Sequence, residues 1–243
     1  MSFKKTYLYL IADKYIDTTY HPKYDDDRSH MHEKIIDEHF IDTTASDSPH
    51  IIYMGGCYGS GKGHVLRHLN TNNKINLNNY IYVDPDKIRS HIPEYEKYLR
   101  ENPWTAGEKT SKEVGYICEL IQMHALVNNY NIIVDGSLQN FEWYNAHINN
   151  LKNQFPTYEF FCIFVHAPWV KVLERVIQRA EITKRCIPFA LLKSIYTKCG
   201  SAHASYKYKK TFHGILFIFN ESIPKIFEKR FDENIINKFM LKL

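Results

Sequence analysis

The chain has 243 residues, of which 44% are hydrophobic and 24% are charged, and its formal net charge is +4 at pH 7. This length fits one α/β domain, and the composition excludes a long disordered or low-complexity protein. The five cysteines contain no C-x-x-C pair, which argues against a disulfide framework and a zinc site and favours a reducing compartment.

Neither a membrane nor a nucleic acid is indicated as a partner. No apolar run approaches the roughly 20 residues that a membrane-spanning helix needs, and the N-terminal apolar stretch is too short and interrupted for a signal peptide. The basic residues are scattered, so an anionic small molecule explains the charge equally well. We therefore expect a soluble, cytoplasmic protein.

The pattern of apolar residues predicts alternating strands and helices. An amphipathic helix is predicted over 31–41, within an N-terminal helical extension (1–48), and a core is expected over 49–220. The predicted strands are 51–54, 80–83, 131–134, 159–165 and 215–219, and the helices between them are 64–69, 111–127, 142–152 and 170–180. This alternation is typical of a parallel sheet with right-handed crossovers. Residues 221–243 interleave apolar and charged residues, which predicts one or two closing helices.

A glycine-rich run, G-G-C-Y-G-S-G-K, follows the first predicted strand at 55–62. Glycines let successive backbone N–H groups point at one anion, the next helix adds its positive N-terminus, and Lys62 can reach the outer phosphates. The run therefore predicts a nucleoside triphosphate site, although a simple glycine-rich turn is the alternative. The residues that we assign to the nucleotide are Gly56, Cys57, Tyr58, Gly59, Ser60, Gly61, Lys62, Gly63 and His64.

Two residues of this run are unusual. Ser or Thr normally follows the lysine and binds Mg²⁺ through its hydroxyl, but here Gly63 follows, so the usual metal arrangement is not supported. Cys57 is a candidate for mild reactivity, because loop amides and a helix N-terminus lower the pKa of a thiol. A packing role is the alternative for Cys57.

Acidic residues follow the second and third predicted strands. Ligands of open α/β sheets bind beyond the carboxyl ends of the strands, where Asp84, Asp86 and Asp135 stand. Phosphoryl transfer requires a residue that deprotonates the acceptor hydroxyl and ligands for Mg²⁺, and these carboxylates can supply both. Capping of the following helices is the alternative.

The helix after the fourth strand and the segment beyond it carry five cations: Lys171, Arg175, Arg179, Lys184 and Arg185. The first three are spaced four apart and share one face. Such a cluster suits a lid whose arginines stabilise a transferring phosphoryl group. A solvated helix face, partly neutralised by Glu174, is the alternative.

Taken together, these strings resemble the zeta-toxin family of P-loop kinases, particularly its eukaryotic and viral branch. The loop is similar to the family pattern G-G-x-P-G-S/A-G-K-S/T, and Asp84-Pro85-Asp86 with Arg89 is similar to its D-x-D motif followed by Arg or Lys. Asp135-Gly136-Ser137 is similar to its E/D-G-T/S motif, with Asp in place of the commoner Glu. Glu119 falls where the family places an acidic substrate-binding residue, and Arg179 and Arg185 fall where it places two phosphate-contacting arginines. The similarity runs from about residue 51 to residue 188.

The resemblance implies one domain over 1–243 with a three-layer P-loop kinase fold and a five-stranded parallel sheet in the order 2-3-1-4-5. It also implies ATP and Mg²⁺ as cofactors and a hydroxyl of a nucleotide sugar or nucleotide-like molecule as the acceptor, which is UDP-N-acetylglucosamine in the best-known members. By this resemblance Lys62 holds the β/γ-phosphates, Asp86 is the general base, and Arg179 and Arg185 stabilise the phosphoryl group. The residues expected at the acceptor are Asp84, Asp86, Arg89, Glu119, Asp135 and Ser137, with Asp84 and Asp135 as candidate metal ligands.

Two rival hypotheses remain open at this point. Because Gly63 removes the metal-binding hydroxyl, the chain is alternatively a degenerate nucleotide-binding or interaction protein. A polynucleotide 5′-kinase is the other rival, although it requires a basic groove that the charge distribution does not indicate. The sequence does not reveal the acceptor, the oligomeric state or an antitoxin-like inhibitor.

Overall fold

The computed structural model describes residues 14–17, 19–41, 43–200 and 208–231, and within them the strands form one six-stranded sheet. The strands are β1 (His50–Gly55), β2 (Ile81–Val83), β3 (Ile132–Asp135), β4 (Glu159–His166), β5 (Gly214–Asn220) and β6 (Pro224–Phe231). Their order is β2-β3-β1-β4-β5-β6, and the first five are parallel. The predicted order of these five strands is confirmed.

Helices connect the parallel strands. They are α1 (Asp26–Glu38), α2 (Lys62–Thr71), α3 (Pro85–Arg89), α4 (Tyr95–Glu101), α5 (Ala106–Lys109), α6 (Ser111–Val127), α7 (Phe141–Gln154), α8 (Trp169–Thr183) and α9 (Phe189–Cys199). Every helix predicted between the strands is present, whereas α4, α5 and α9 were not predicted. Among the described residues, no helix combines the length and the apolar composition needed to cross a membrane.

Both faces of the sheet are buried, which explains why its strands read as continuous apolar runs. Successive residues of β1 point to opposite faces, so Ile51 and Tyr53 join one core cluster while Ile52 and Met54 join the other. The first cluster includes apolar residues of α6 and α7, and the second includes residues of α2, among them Val65. Helix α2 therefore packs against one face of the sheet, and its N-terminus lies at the carboxyl end of β1.

The segment Pro224–Phe231 is a strand, so the prediction of closing helices over 221–243 is wrong for this part; residues 232–243 lie outside the described residues. The strand pairs antiparallel with β5, from Asn220 opposite Pro224 to Gly214 opposite Phe231. The mixed apolar and charged pattern suits a sheet edge as well as a helix, because charged side chains protect an edge from further pairing. Pro224 stands at the first position of the strand, where a missing N–H is tolerated.

An ion-pair network holds α1 against the rest of the domain. Arg28 forms a bidentate contact with Glu113, from Nε to Oε1 at 2.5 Å and from Nη2 to Oε2 at 2.8 Å, and a second contact with Glu94 at 2.7 Å. His32 Nε2 lies 2.7 Å from Glu113 Oε1. Burial raises the pKa of Glu113, but the hydrogen bonds of His32 and Arg28 outweigh it and lower that pKa to about 2.

Replacing Glu113 with Gln is expected to lower the free energy of unfolding by about 2 kcal/mol at pH 7, since two charge-assisted contacts are lost. The folded-state pKa of about 2 lies below the ordinary value of 4.5, so this stabilisation is fully present above about pH 4.5 and is lost as the pH falls through 2. Urea unfolding of the wild-type and Glu113→Gln proteins at pH 7 and at pH 3 measures the difference in their free energies of unfolding, which should be smaller at pH 3. The exposed Glu108, replaced in the same way, is the control; a pH-independent difference would contradict the assignment.

Candidate active site

The glycine-rich run forms the loop between β1 and α2. Gly56, Gly59 and Gly61 have φ angles of 131°, 74° and 86°, in the region that residues with side chains avoid. A Cβ on Gly61 would lie 2.2 Å from Asn220 Nδ2, and one on Gly56 would lie 2.3 Å from the backbone oxygen of Val165. Glycine is therefore required at these positions, and a loop of this kind at a helix N-terminus is an anion-binding geometry.

Two side chains that sequence reasoning did not assign to the nucleotide site hold this loop. Arg175 donates from Nη1 to the backbone oxygens of Gly59 and Ser60, each at 3.4 Å, and to that of Asn220 at 3.1 Å. Asn220, fully buried at the end of β5, donates from Nδ2 to the backbone oxygen of Ser60 at 2.8 Å. These two side chains engage carbonyl oxygens of the loop and not its N–H groups, of which those of Gly56 and Ser60 donate to the backbone oxygens of Ser137 and Cys57.

Lys62 lies between the loop and the end of β3. Its Nζ donates to the backbone oxygen of Gly56 at 3.1 Å and lies 3.6 Å from Asp135 Oδ1. Tyr82, also missed in the sequence, donates its hydroxyl to Asp135 Oδ2 at 3.1 Å. Burial raises the pKa of Asp135, and the nearby Lys62 opposes this shift. The predicted lysine and carboxylate are therefore adjacent.

A cavity of about 550 Å³ opens over the loop. Its wall combines the loop, the N-terminus of α2, the ends of β2 and β3, and the cations of α8. The lining residues that sequence analysis had predicted for the site are Gly59, Gly61, Lys62, Gly63, His64, Asp84, Asp86, Asp135 and Arg179. The size and the charged lining of this cavity suit the phosphates of a nucleotide.

Asp84 caps helix α3, which is the alternative role that the sequence offered for it. One of its carboxylate oxygens accepts the backbone N–H of Asp86 at 2.9 Å and that of Lys87 at 3.4 Å. The other oxygen accepts no hydrogen bond from a described residue, and the side chain lines the cavity. Capping and a role in ligand binding are therefore compatible.

Asp86 is held by arginines on both carboxylate oxygens. Oδ1 accepts from Arg185 Nη1 at 2.5 Å and from Arg89, and Oδ2 accepts from Arg179 Nη2 at 2.5 Å. Burial raises the pKa of Asp86, but the combined attraction of the surrounding cations outweighs it, so the pKa lies below its ordinary value. The carboxylate is therefore ionised at neutral pH.

A second cavity of about 210 Å³ lies on the other side of Asp86. Asp86 and Arg179 line both cavities. The remaining lining residues of the second cavity are Tyr58, Ser90, Tyr95, Glu96, Leu99, Val176, Thr183, Arg185 and Ile187. Asp86 thus belongs to the walls of two neighbouring cavities.

Three predicted acceptor residues line neither cavity. Glu119 lies on α6, where its Oε1 is 3.2 Å from His21 Nε2. The backbone oxygen of Ser137 accepts a hydrogen bond from the N–H of Gly56 at 3.1 Å. Arg89 is buried, donates to the Thr110 hydroxyl and pairs with Asp86. Direct contact of these residues with an acceptor stays a prediction.

Of the two interpretations of Cys57, the structure favours the packing role over mild reactivity. Its side chain is buried, and this burial raises its thiol pKa to about 11, although Lys62 acts in the opposite direction. Loop position alone indicated a lowered pKa, but desolvation of the thiolate is the larger effect. Cys57 is therefore a packing residue of the loop.

Comparison with known proteins shows the fold and the family of the chain. A search of curated protein sequences finds no significant match. Among solved structures, one described as the PezAT chromosomal toxin–antitoxin system of the human pathogen Streptococcus pneumoniae is similar, with 19% identity, a TM-score of 0.67, and coverage of 85% of this chain and 82% of the other. A structure of AvrRxo1-ORF1:-ORF2 with ATP has 15% identity and a TM-score of 0.65, covering 86% and 68%. These likenesses show the fold.

The family is shown by sequence. The sequence model of the zeta toxin family matches residues 32–232, which is most of the chain. The matched range includes the glycine loop, the carboxylates that follow β2 and end β3, and the arginines of α8 and beyond. The chain therefore belongs to the zeta toxin family of P-loop phosphotransferases.

Proposed function

We propose that this protein is an ATP-dependent kinase that phosphorylates a hydroxyl group of a nucleotide sugar or nucleotide-like acceptor. The observation that carries the proposal is the position of Asp86, which lines both cavities. The ATP phosphates occupy the first cavity, above the loop, and the acceptor hydroxyl enters from the second. The two reactants then meet at an ionised carboxylate.

The proposed roles follow from this geometry. Asp86 accepts the proton of the acceptor hydroxyl while that oxygen forms a bond to the γ-phosphorus and the bond to ADP breaks. Lys62, beside the loop, contacts the β- and γ-phosphates. Arg179 and Arg185, which hold Asp86 in the absence of ligand, shift onto the phosphoryl oxygens as negative charge develops there.

A Mg²⁺ ion fits this site with a reduced set of protein ligands. The described residues contain no cluster of three or more His, Cys, Asp or Glu suited to a metal, and Gly63 offers no hydroxyl. Asp84 and Asp135 nevertheless face the first cavity, and Mg²⁺ is commonly held by one or two carboxylates together with waters and phosphates. We assign these two residues to the ion, which neutralises phosphate charge when bound.

The lining of the second cavity favours a hydroxylated ring as the acceptor group. Tyr58 and Tyr95 contribute aromatic side chains to the lining, while Ser90, Glu96 and Thr183 contribute polar groups. Such a mixture of apolar faces and a few polar groups is typical of a small-molecule site. The sugar of a nucleotide sugar has both the hydroxyls and the ring faces that this lining can contact.

An acceptor panel tests the proposed function. ADP release is measured with ATP and Mg²⁺ in the presence of UDP-N-acetylglucosamine, other nucleotide sugars, dinucleotides or an RNA with a 5′-hydroxyl, and products are identified by mass spectrometry. A phosphorylated nucleotide sugar or dinucleotide supports the proposal. Phosphorylation of RNA alone would instead indicate a polynucleotide 5′-kinase, and nucleotide binding without any product would indicate a binding protein.

Replacing Arg179 with Gln is expected to lower kcat by about 10- to 100-fold, the value of one charge-assisted contact that forms in the transition state. Arg185 and Lys62 remain, which limits the loss. Steady-state kinetics with the best acceptor measure the effect. Lys171, an exposed cation two turns earlier on α8 that pairs with Glu174, is the matched control when replaced with Gln; an equal loss in both variants would contradict the role.

A further inference from the structure

Arg67 is a cation on the wall of the first cavity that has no partner among the described residues. It lines that cavity together with Asp84 and Asp135, yet it forms no ion pair or hydrogen bond with either carboxylate or with any other described residue. An arginine is charged at every physiological pH. The guanidinium is therefore free to contact an anionic ligand.

Arg67 also lies close to the residue that departs from the family pattern. It stands one helical turn after Gly63 on α2, and long helical side chains lean toward the helix N-terminus. A Cβ placed on Gly63 would lie 3.6 Å from Arg67 Nη1. The guanidinium therefore lies beside the point from which the metal-binding Ser or Thr side chain of the usual loop extends.

The neighbouring His64 does not duplicate this charge. Partial desolvation lowers the pKa of His64, which is exposed on one side, and the positive charges of Arg67 and Arg175 lower it further. The imidazole is therefore neutral at neutral pH. Arg67 therefore supplies the positive charge of this corner that is not already bonded to the protein, since Arg175 donates to backbone oxygens of the loop.

We propose that Arg67 binds the phosphate oxygens of the nucleotide on the side where other loops carry their metal-binding hydroxyl. This inference rests on the proposed nucleotide site. A guanidinium offers a fixed charge and paired N–H donors that match phosphate geometry. Part of the neutralisation that a hydroxyl-bound Mg²⁺ ordinarily gives is thereby built into the chain, so nucleotide binding depends less on a divalent cation.

Titration calorimetry with ADP, in EDTA and in Mg²⁺, tests the inference. The wild-type chain is expected to bind ADP in EDTA with an affinity within about tenfold of that in Mg²⁺. The Arg67→Gln variant is expected to lose about 10- to 100-fold in metal-free affinity, and Arg67→Lys to recover part of it. Arg100→Gln, which removes an exposed arginine of α4 outside the cavity, is the matched control and should change nothing.

A second pair of variants separates Arg67 from the missing hydroxyl. Gly63→Ser adds the hydroxyl at a position where a Cβ meets Arg67 Nη1 at an ordinary contact distance of 3.6 Å. This variant should show a larger increase in ADP affinity on addition of Mg²⁺ than the wild-type chain. Gly63→Ala, which adds no hydroxyl, should not show it. Unchanged metal-free affinity in Arg67→Gln would overturn the inference and leave the nucleotide site intact. If the wild-type chain fails to bind ADP with or without Mg²⁺, the proposed function and the inference both fail.

Discussion

Replacing Asp86 with Asn is expected to lower kcat for phosphoryl transfer by about 10³-fold, within the range that general-base catalysis contributes. The amide has nearly the same shape as the carboxylate, so the cavities keep their form. It cannot take the proton of the acceptor, because the amide oxygen is a weak base. Nucleotide affinity should remain within about threefold of the wild-type value, since Lys62 and the loop are unchanged. Steady-state kinetics and ADP titration measure the two quantities.

A matched variant distinguishes this loss from a general effect of removing a carboxylate. Asp27→Asn changes an exposed residue of the first turn of α1 and should leave kcat unaltered. The thermal midpoint of Asp86→Asn is measured as well, because Arg89, Arg179 and Arg185 lose their counter-charge. Equal turnover by wild type and a folded Asp86→Asn protein would remove Asp86 from the mechanism.

Replacing Gly61 with Ala is expected to weaken nucleotide binding by more than about 100-fold. Its φ of 86° costs roughly 1–2 kcal/mol for a residue with a side chain. In addition, the new methyl group would lie 2.2 Å from Asn220 Nδ2, and Asn220 is fully buried and cannot move aside without breaking its contact with Ser60. The loop must therefore change shape. ADP titration measures the loss.

The neighbouring Gly63 provides the control for this variant. It lies within the helix, and a Cβ there meets the tip of Arg67 at an ordinary distance of 3.6 Å. Gly63→Ala should therefore bind ADP with an affinity within a few fold of the wild-type value and should stabilise α2 slightly. Comparable losses in the two variants would show that backbone conformation at Gly61 is not the cause.

The parts of the fold that depend on local pattern were predictable from the sequence. The five parallel strands follow from alternating apolar runs, and the glycine loop follows from its own residues, whereas the order of the strands was implied by the family resemblance. Strand β6 was not predictable in this way, because its mixed pattern fits a helix equally well. Its conformation is decided by the open edge of β5, with which it pairs.

In the candidate site, too, residues recognisable from local sequence were predicted, whereas a residue that acts through a long-range contact was missed. Lys62, Asp84, Asp86 and Asp135 were predicted from their positions after strands, and the structure brings all four to one cavity. Asn220 was missed because its contact with Ser60 joins residues 160 positions apart. A polar residue at the end of a buried apolar strand was the available signal.

The ion pairs between Asp86 and the arginines bear on the rate at which the proposed kinase hydrolyses ATP in the absence of an acceptor. Both carboxylate oxygens accept from guanidinium groups, which makes Asp86 a weaker base toward a water molecule in the second cavity. In the proposed kinase we therefore expect hydrolysis of ATP by water to be slow until the arginines shift onto the phosphoryl oxygens.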